Sequence, residues 1–200
     1  STDASSNTTD SNTSETYNGL VGSETLTLTG QGSVTTKNVS GGTQAVTLGT
    51  LAIGNQSGAT ASSGGLASNY NFASATLTIN QRVLNSSSSR VYDSTTTVAA
   101  SDISLTNQVT GENLQLSNSS ITSSANVGSY SITNLAGITI SDEAGANASS
   151  GALAANYSLI GGTHTFAINR KSVNIAGTRQ YDGTQTFDDS IISISGLQGG

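Results

Sequence analysis

Thr25-Leu26-Thr27-Leu28-Thr29 alternates polar and apolar residues with a period of two, and that alternation decides the fold. Successive side chains of a strand point to opposite faces, so Leu26 and Leu28 face one way and the three threonines the other. The same rhythm returns in Ala75-Thr76-Leu77-Thr78-Ile79, Gly137-Ile138-Thr139-Ile140, His164-Thr165-Phe166-Ala167-Ile168 and Ile192-Ser193-Ile194-Ser195. Each predicts a half-buried antiparallel strand with Leu, Ile or Phe turned inward. No long stretch sets apolar residues at i, i+3, i+4 and i+7, and the helix formers Glu, Lys and Arg are scarce. The chain is expected to be all-β.

Its composition suits that reading. Ser and Thr make up 64 of 200 residues, beside 18 Asn and 23 Gly, while charged residues are only 9%, against roughly 25% in an ordinary soluble domain. Hydroxyls therefore replace charge as the solubilising surface, and β-branched Thr fits the pleat. The polar bias resembles that of disordered chains, but 34% of residues are hydrophobic and they recur at period two. With 6 Lys and Arg against 12 Asp and Glu the net charge is −6, and no basic stripe exists to neutralise phosphates. A nucleic-acid partner is not expected. No cysteine is present, which removes disulfides, thiolate nucleophiles and thiolate metal sites together. The apolar runs are far too short for a membrane-spanning helix, so membrane insertion is not expected.

An internal repeat runs through the alternating segments. At an offset of 87, Gly58, Ala59, Ser62, Ser63, Gly64, Leu66, Ala67, Asn69 and Tyr70 recur as Gly145, Ala146, Ser149, Ser150, Gly151, Leu153, Ala154, Asn156 and Tyr157. At 88, Glu24, Leu26 and Leu28 match Glu112, Leu114 and Leu116; at 89, Tyr92-Asp93-Ser94-Thr95 matches Tyr181-Asp182-Gly183-Thr184. The drift places insertions between strands. One unit is thus about 88 residues. Residues 81–169 form a complete repeat, 1–80 a first repeat lacking its opening strand, and 170–200 the start of a third. The expected core of the complete repeat is Leu114, Leu116, Ile132, Ile138, Ile140, Tyr157, Leu159, Phe166 and Ile168. The Ser- and Gly-rich loops Asn55 to Gly65 and Asp142 to Gly151 are expected at equivalent exposed places.

Tyr181-Asp182-Gly183-Thr184, the Gly-Ser-Glu and Gly-Glu before the Leu-alternating strands, Lys37-Asn38-Val39 with Ala125-Asn126-Val127, and Ala67-Ser68-Asn69-Tyr70 with Ala154-Ala155-Asn156-Tyr157 together resemble the YDG and MBG ("mostly bacterial Ig-like") repeats. The resemblance spans all but residues 1–16. It implies tandem Ig-like antiparallel sandwich modules, of the kind found in large secreted bacterial adhesins with filamentous-haemagglutinin-type export domains. The competing fold is a β-solenoid, against which the 88-residue period and irregular loops argue. Ser94 departs from the motif where glycine is usual. In physical terms Tyr can bury its ring at a strand end, Asp can cap the turn, and Gly takes positive φ.

The inventory of reactive groups points away from catalysis. His164 is the single histidine, lies mid-strand, and its counterpart in the first copy is not His. Without a second His or any Cys, the common zinc sites and Cys-His chemistry cannot be assembled, and the lone mid-strand His164 is read as a strand residue rather than a ligand or base. Asp142-Glu143 and Asp182 with Asp188-Asp189 are the acidic clusters, and neither has a calcium-loop spacing. Lys37 and Lys171 occupy different module positions, so no repeated isopeptide pattern exists. Thr25, Thr27 and Thr29 form one hydroxyl row, not an array. No catalytic, cofactor-binding or metal-binding residue is therefore assigned. The expectation is a structural stalk at the bacterial cell surface or outside the cell, with neighbouring repeats as its contacts. Head-to-tail self-association by strand complementation is a further expectation. The alternative is a carbohydrate-binding matrix module with exopolysaccharide as partner, although aromatics for stacking on sugars are few.

Overall fold

The computed structural model describes residues 4–10 and 13–199. Among them are eighteen strands, five single turns of 3-10 helix and no α-helix. The chain divides into two compact units, Ser1–Asn80 and Gln81–Gly200.

In the first unit, β1 (Ala4–Asp10) and β2 (Thr13–Leu20) form an antiparallel ribbon. There follow β3 (Thr27–Thr29), β4 (Ser33–Val34), β5 (Thr43–Thr47), β6 (Ala52–Gly54) and β7 (Thr76–Thr78). β3 pairs with β6, while β5 lies between β4 and β7, all antiparallel. Among the described residues β7 is paired on one edge alone.

The second unit holds β8 (Arg82–Val83), β9 (Asn85–Val91), β10 (Thr97–Ala99), β11 (Leu105–Thr106), β12 (Gln115–Ile121), β13 (Gly128–Ser131), β14 (Ile138–Ser141), β15 (Tyr157–Ser158), β16 (His164–Asn169), β17 (Asn174–Gly177) and β18 (Ile192–Ser195). One sheet runs β10-β12-β14 and the other β11-β9-β16-β13. Their inner faces share one core, in which Val98 of β10 and Leu114 beside β12 belong to the same cluster as Phe166 and Ile168 of β16. This is a sandwich closed over alternating side chains. Phe166, Leu84, Leu135, Ile168 and Val98 are its fully buried large residues, each stabilising the fold by about 1.5–3 kcal/mol of removed apolar surface.

Six of the nine expected core residues are buried: Leu114, Ile132, Tyr157, Leu159, Phe166 and Ile168. Leu116, Ile138 and Ile140 pack against them half-buried. The core also takes Leu84, Val98, Ile103, Leu135 and Ala152, which the alternation does not mark. Leu84 precedes a strand of four consecutive serines, Ser86 to Ser89, whose inward residue Ser86 is itself buried. An inward-facing serine erases the apolar rhythm that would identify β9 as a core strand.

Strand direction also differs from the all-antiparallel expectation. β16 pairs antiparallel with β13 but parallel with β9, and β8 pairs parallel with β15. Parallel neighbours require a long crossover, and here the middle of the repeat is that crossover, so β9 near its start and β16 at its end lie side by side. The copies agree in detail: β3–β6 pairs Leu28 with Ile53, and β12–β14 pairs their counterparts Leu116 and Ile140. β17–β18 pairs Ile175 with Ile194, as β9–β11 pairs Ser86 with Leu105.

Candidate functional site

The Tyr-Asp turn carries the densest set of polar contacts. Asp93 accepts from the Thr95 backbone N–H at 3.0 Å and from its hydroxyl at 2.9 Å. Asp182 does the same with Thr184, at 2.9 Å for both. The residue between must turn left-handed: φ is 66° at Ser94 and 74° at Gly183, so Ser94 accepts the strain that glycine avoids. The backbone N–H of Thr95 is the main reason the Asp93 carboxyl is held below the usual range, and Thr184 acts likewise on Asp182.

An arginine closes each turn. Arg90 donates to the Thr95 and Thr97 carbonyls and pairs with Asp93 at 3.3 Å. Eighty-nine residues on, Arg179 donates to the Thr184 and Thr186 carbonyls and pairs with Asp182 at 3.2 Å. The Arg90 guanidinium also lies over the Phe166 ring, 5.4 Å from its centroid. It thereby ties the end of β9 to the start of β10, where the chain passes from one sheet to the other.

The acidic pair Asp142-Glu143 is a backbone clamp. Glu143 Oε2 accepts from Ala152 N–H at 2.9 Å and Asn113 N–H at 3.3 Å, and Asp142 Oδ1 from Ala154 N–H at 2.7 Å. In the first copy Gln56 Oε1 accepts from Gly65 and Thr25, both at 3.0 Å, and Asn55 Oδ1 from Ala67 at 2.8 Å. Neutral amides perform the same task at the same positions, so what this site requires is an acceptor oxygen, not a charge. The two amide hydrogens, Ala152 first, hold the Glu143 carboxyl below its ordinary range. Loops 55–65 and 142–151 are mostly exposed, and each is closed by a small antiparallel bridge, Thr60 with Ser63 and Asn147 with Ser150.

Each copy also pins its terminal Tyr. Tyr157 donates to Glu112 and accepts from Val109 N–H at 3.3 Å; Tyr70 donates to Glu24 and accepts from Val21 N–H at 3.3 Å. Burial and then the Glu112 bond raise Tyr157, and the Glu24 bond raises Tyr70. His164 is buried, with Nδ1 3.1 Å from the Ser86 hydroxyl and Nε2 2.9 Å from the Leu159 carbonyl. Both ring nitrogens are occupied within the core. Asp182 and Asp188 line one shallow hollow together with Arg179, whose cation opposes binding of another there.

Residues 76–166 match the YDG domain family. No curated protein and no solved structure matches the chain. The matched stretch opens in β7 and reaches into β16, so it takes in the Arg90 turn, the Glu143 clamp and the Tyr157 pin together. Its motif residues are structural in detail: Asp93 caps, Ser94 turns, and Tyr92 packs half-buried against the core. In the third copy Tyr181 is 97% exposed. The arginine of the YDG turn is what sequence reasoning missed. Arg90 and Arg179 stand three residues before each Asp at the same repeat offset, and that recurrence was the available signal.

Proposed function

We propose that this chain is a run of stalk repeats from a secreted or surface-anchored bacterial adhesin, which hold a binding tip away from the cell. One observation carries the reading: the polar side chains best suited to chemistry are engaged in holding backbone, and in the same way from copy to copy. Asp93 with Asp182, Arg90 with Arg179, Glu143 with Gln56 and Tyr157 with Tyr70 each perform one mechanical task twice. Repetition at a fixed period also favours length as the selected property, since modules that contact only their neighbours add reach one by one. Only six Lys and Arg in 200 residues leave few trypsin-type cleavage points, which suits a surface exposed to proteases.

The test is to place one, two or four copies of 81–169 within the full chain beneath a known binding tip on a non-adherent cell. Reach in electron micrographs is expected to grow by a constant step per copy, with attachment depending on the tip alone. Attachment by tipless chains, together with retention on an exopolysaccharide array, would overturn the stalk reading in favour of a carbohydrate-binding matrix module.

A further inference from the structure

β16 ends the complete repeat at Asn169 and β17 opens at Asn174, so residues 170–173 are the whole connection between that repeat and the next. Fully extended, so short a stretch spans less than about 20 Å, and the two repeats have to meet. The Tyr-Asp turn holds the last residue before the connection, since the Tyr92 N–H donates to the Asn169 carbonyl at 2.8 Å. A hollow of about 360 Å³ lies here, and the complete repeat lines it with Tyr92, Asn126 and Val127. Two recurring motifs of the sequence, the Tyr-Asp turn and the Asn-Val turn, thus come to one place. Tyr92 packs half-buried against the core, whereas Val127 takes no part in it. The Asn-Val turn is fixed from within its own repeat: the Tyr130 hydroxyl donates to the Asn126 carbonyl at 2.5 Å, and the Asn126 N–H donates to the Ser124 hydroxyl at 3.1 Å.

The following repeat presents Lys171, Leu197 and Gln198 to the same hollow. Lys171 Nζ donates to Gln198 Oε1 at 2.8 Å, clasping the start of that repeat to the loop after β18. The clasp belongs to the repeat itself, because the complete copy makes one too. Eighty-nine residues earlier, Arg82 donates to the Asn107 carbonyl in the loop after β11. Both loops turn left-handed at the same repeat position, with φ 58° at Asn107 and 83° at Gly196.

We propose that the Tyr-Asp turn and the Asn-Val turn of one repeat together form a seat for the basic clasp of the repeat that follows, and that this junction holds successive repeats in one orientation. Motion between neighbouring domains is the default where few contacts cross, and modules that turn freely gain reach only as the square root of their number. Here the connection is four residues long, its first end is tied down by Tyr92, and Val127 and Leu197 face one hollow from the two sides. The purpose of the junction rests on the stalk reading above, while its geometry stands without it.

The experiment places nitroxide labels on the full chain at Ser149→Cys and Gln185→Cys, exposed positions in the two repeats, and reads their separation by pulsed electron paramagnetic resonance. The chain contains no native cysteine to interfere. A single narrow distance is expected. Val127→Asp on the seat and Leu197→Asp beside the clasp should each broaden it while circular dichroism stays that of the wild type. Insertion of Gly-Gly-Ser between Arg170 and Lys171, which changes no side chain of either turn, should broaden it as well. A broad distribution in the labelled chain without further changes, or a narrow one retained by both aspartate variants and by the insertion, would overturn the proposal. A narrow distance found together with attachment by tipless chains would sink the stalk reading and leave the junction standing.

Discussion

Tyr157 donates its hydroxyl to the Glu112 carboxylate across 45 residues of chain, and its ring is 3% exposed. The pair fixes the end of the repeat to the loop ahead of β12, with the ring filling core and the hydroxyl bonding at the rim. Removing the ring and removing the bond are separable. Tyr157→Ala should lower unfolding free energy by about 3–5 kcal/mol, and Tyr157→Phe by about 1–2 kcal/mol. Denaturant titration of the two variants checks the ranking, and equal losses would show that the ring packs against nothing of consequence.

Burial of Tyr157 and then the same bond, like the matching Glu24 bond of Tyr70, give a signature in base. Tyr157 and Tyr70 are both raised in the fold, so the folded state holds these protons more tightly than the unfolded state does. Their stabilisation is complete below the unfolded tyrosine value of about 10 and is lost as pH rises through the higher folded values. Thermal melts of the wild type should fall above that pH, and those of the Tyr70→Phe, Tyr157→Phe chain should fall less steeply.

Glu143 predicts the opposite slope in acid. Its carboxyl is lowered by amide hydrogen bonds, so that contribution is present above the unfolded carboxylate value of about 4 and disappears as pH falls through the folded one. Glu143→Gln, which installs the residue that Gln56 already provides in the first copy, should keep the melting temperature near neutrality and flatten its decline in acid. Glu143→Ala leaves the Ala152 and Asn113 amides without this acceptor and should lower the melting temperature more than the Gln variant at every pH.

Ser94 sits at φ 66° in a turn where the third copy has glycine at 74°. Ser94→Gly relieves a left-handed penalty of about 1 kcal/mol and returns part of it as chain entropy. A net gain of about 0.5 kcal/mol is expected, and Ser94→Val, β-branched and unable to bond locally, should be destabilising. Paired equilibrium unfolding curves resolve the sign.

Arg90 grips two carbonyls and a carboxylate while lying on Phe166, a task that needs a planar fork. Arg90→Lys should therefore behave more like Arg90→Ala than like the wild type. Amide exchange in Asp93 to Thr97 should quicken in both, and protection there by lysine equal to that of the wild type would refute the role of the fork.

What could be read from the residues follows from where the physics leaves a mark. β16 was legible because His164 to Ile168 alternates large inward groups with small outward ones, and the Tyr-Asp-x-Thr turn because its constraint is local to four residues. β9 was not legible, since Ser86 faces inward and finds its partner in His164, seventy-eight residues away. Strand direction was silent as well, because a period of two is the same for parallel and antiparallel neighbours. Arg90 was overlooked because a lone cation in a polar chain reads as surface, whereas its side chain is 11% exposed. The Asp142-Glu143 pair illustrates the converse: an acidic dipeptide looks like chemistry until its amide counterparts Asn55 and Gln56 are seen in the same hydrogen bonds.

The parallel contact between β9 and β16 also sets how the repeat bears tension. The chain enters the complete repeat through β8 and β9 and leaves it at the tail of β16, and β9 and β16 run the same way. A pull on both ends therefore drags them past each other along their length instead of peeling them apart, and the paired residues from His164 with Ser86 to Asn169 with Val91 share the load at once. The evenly spaced, slanted bonds of a parallel ladder must then yield together. Pulled from its two ends, the repeat is a shear joint, one that rips only when the whole seam gives way.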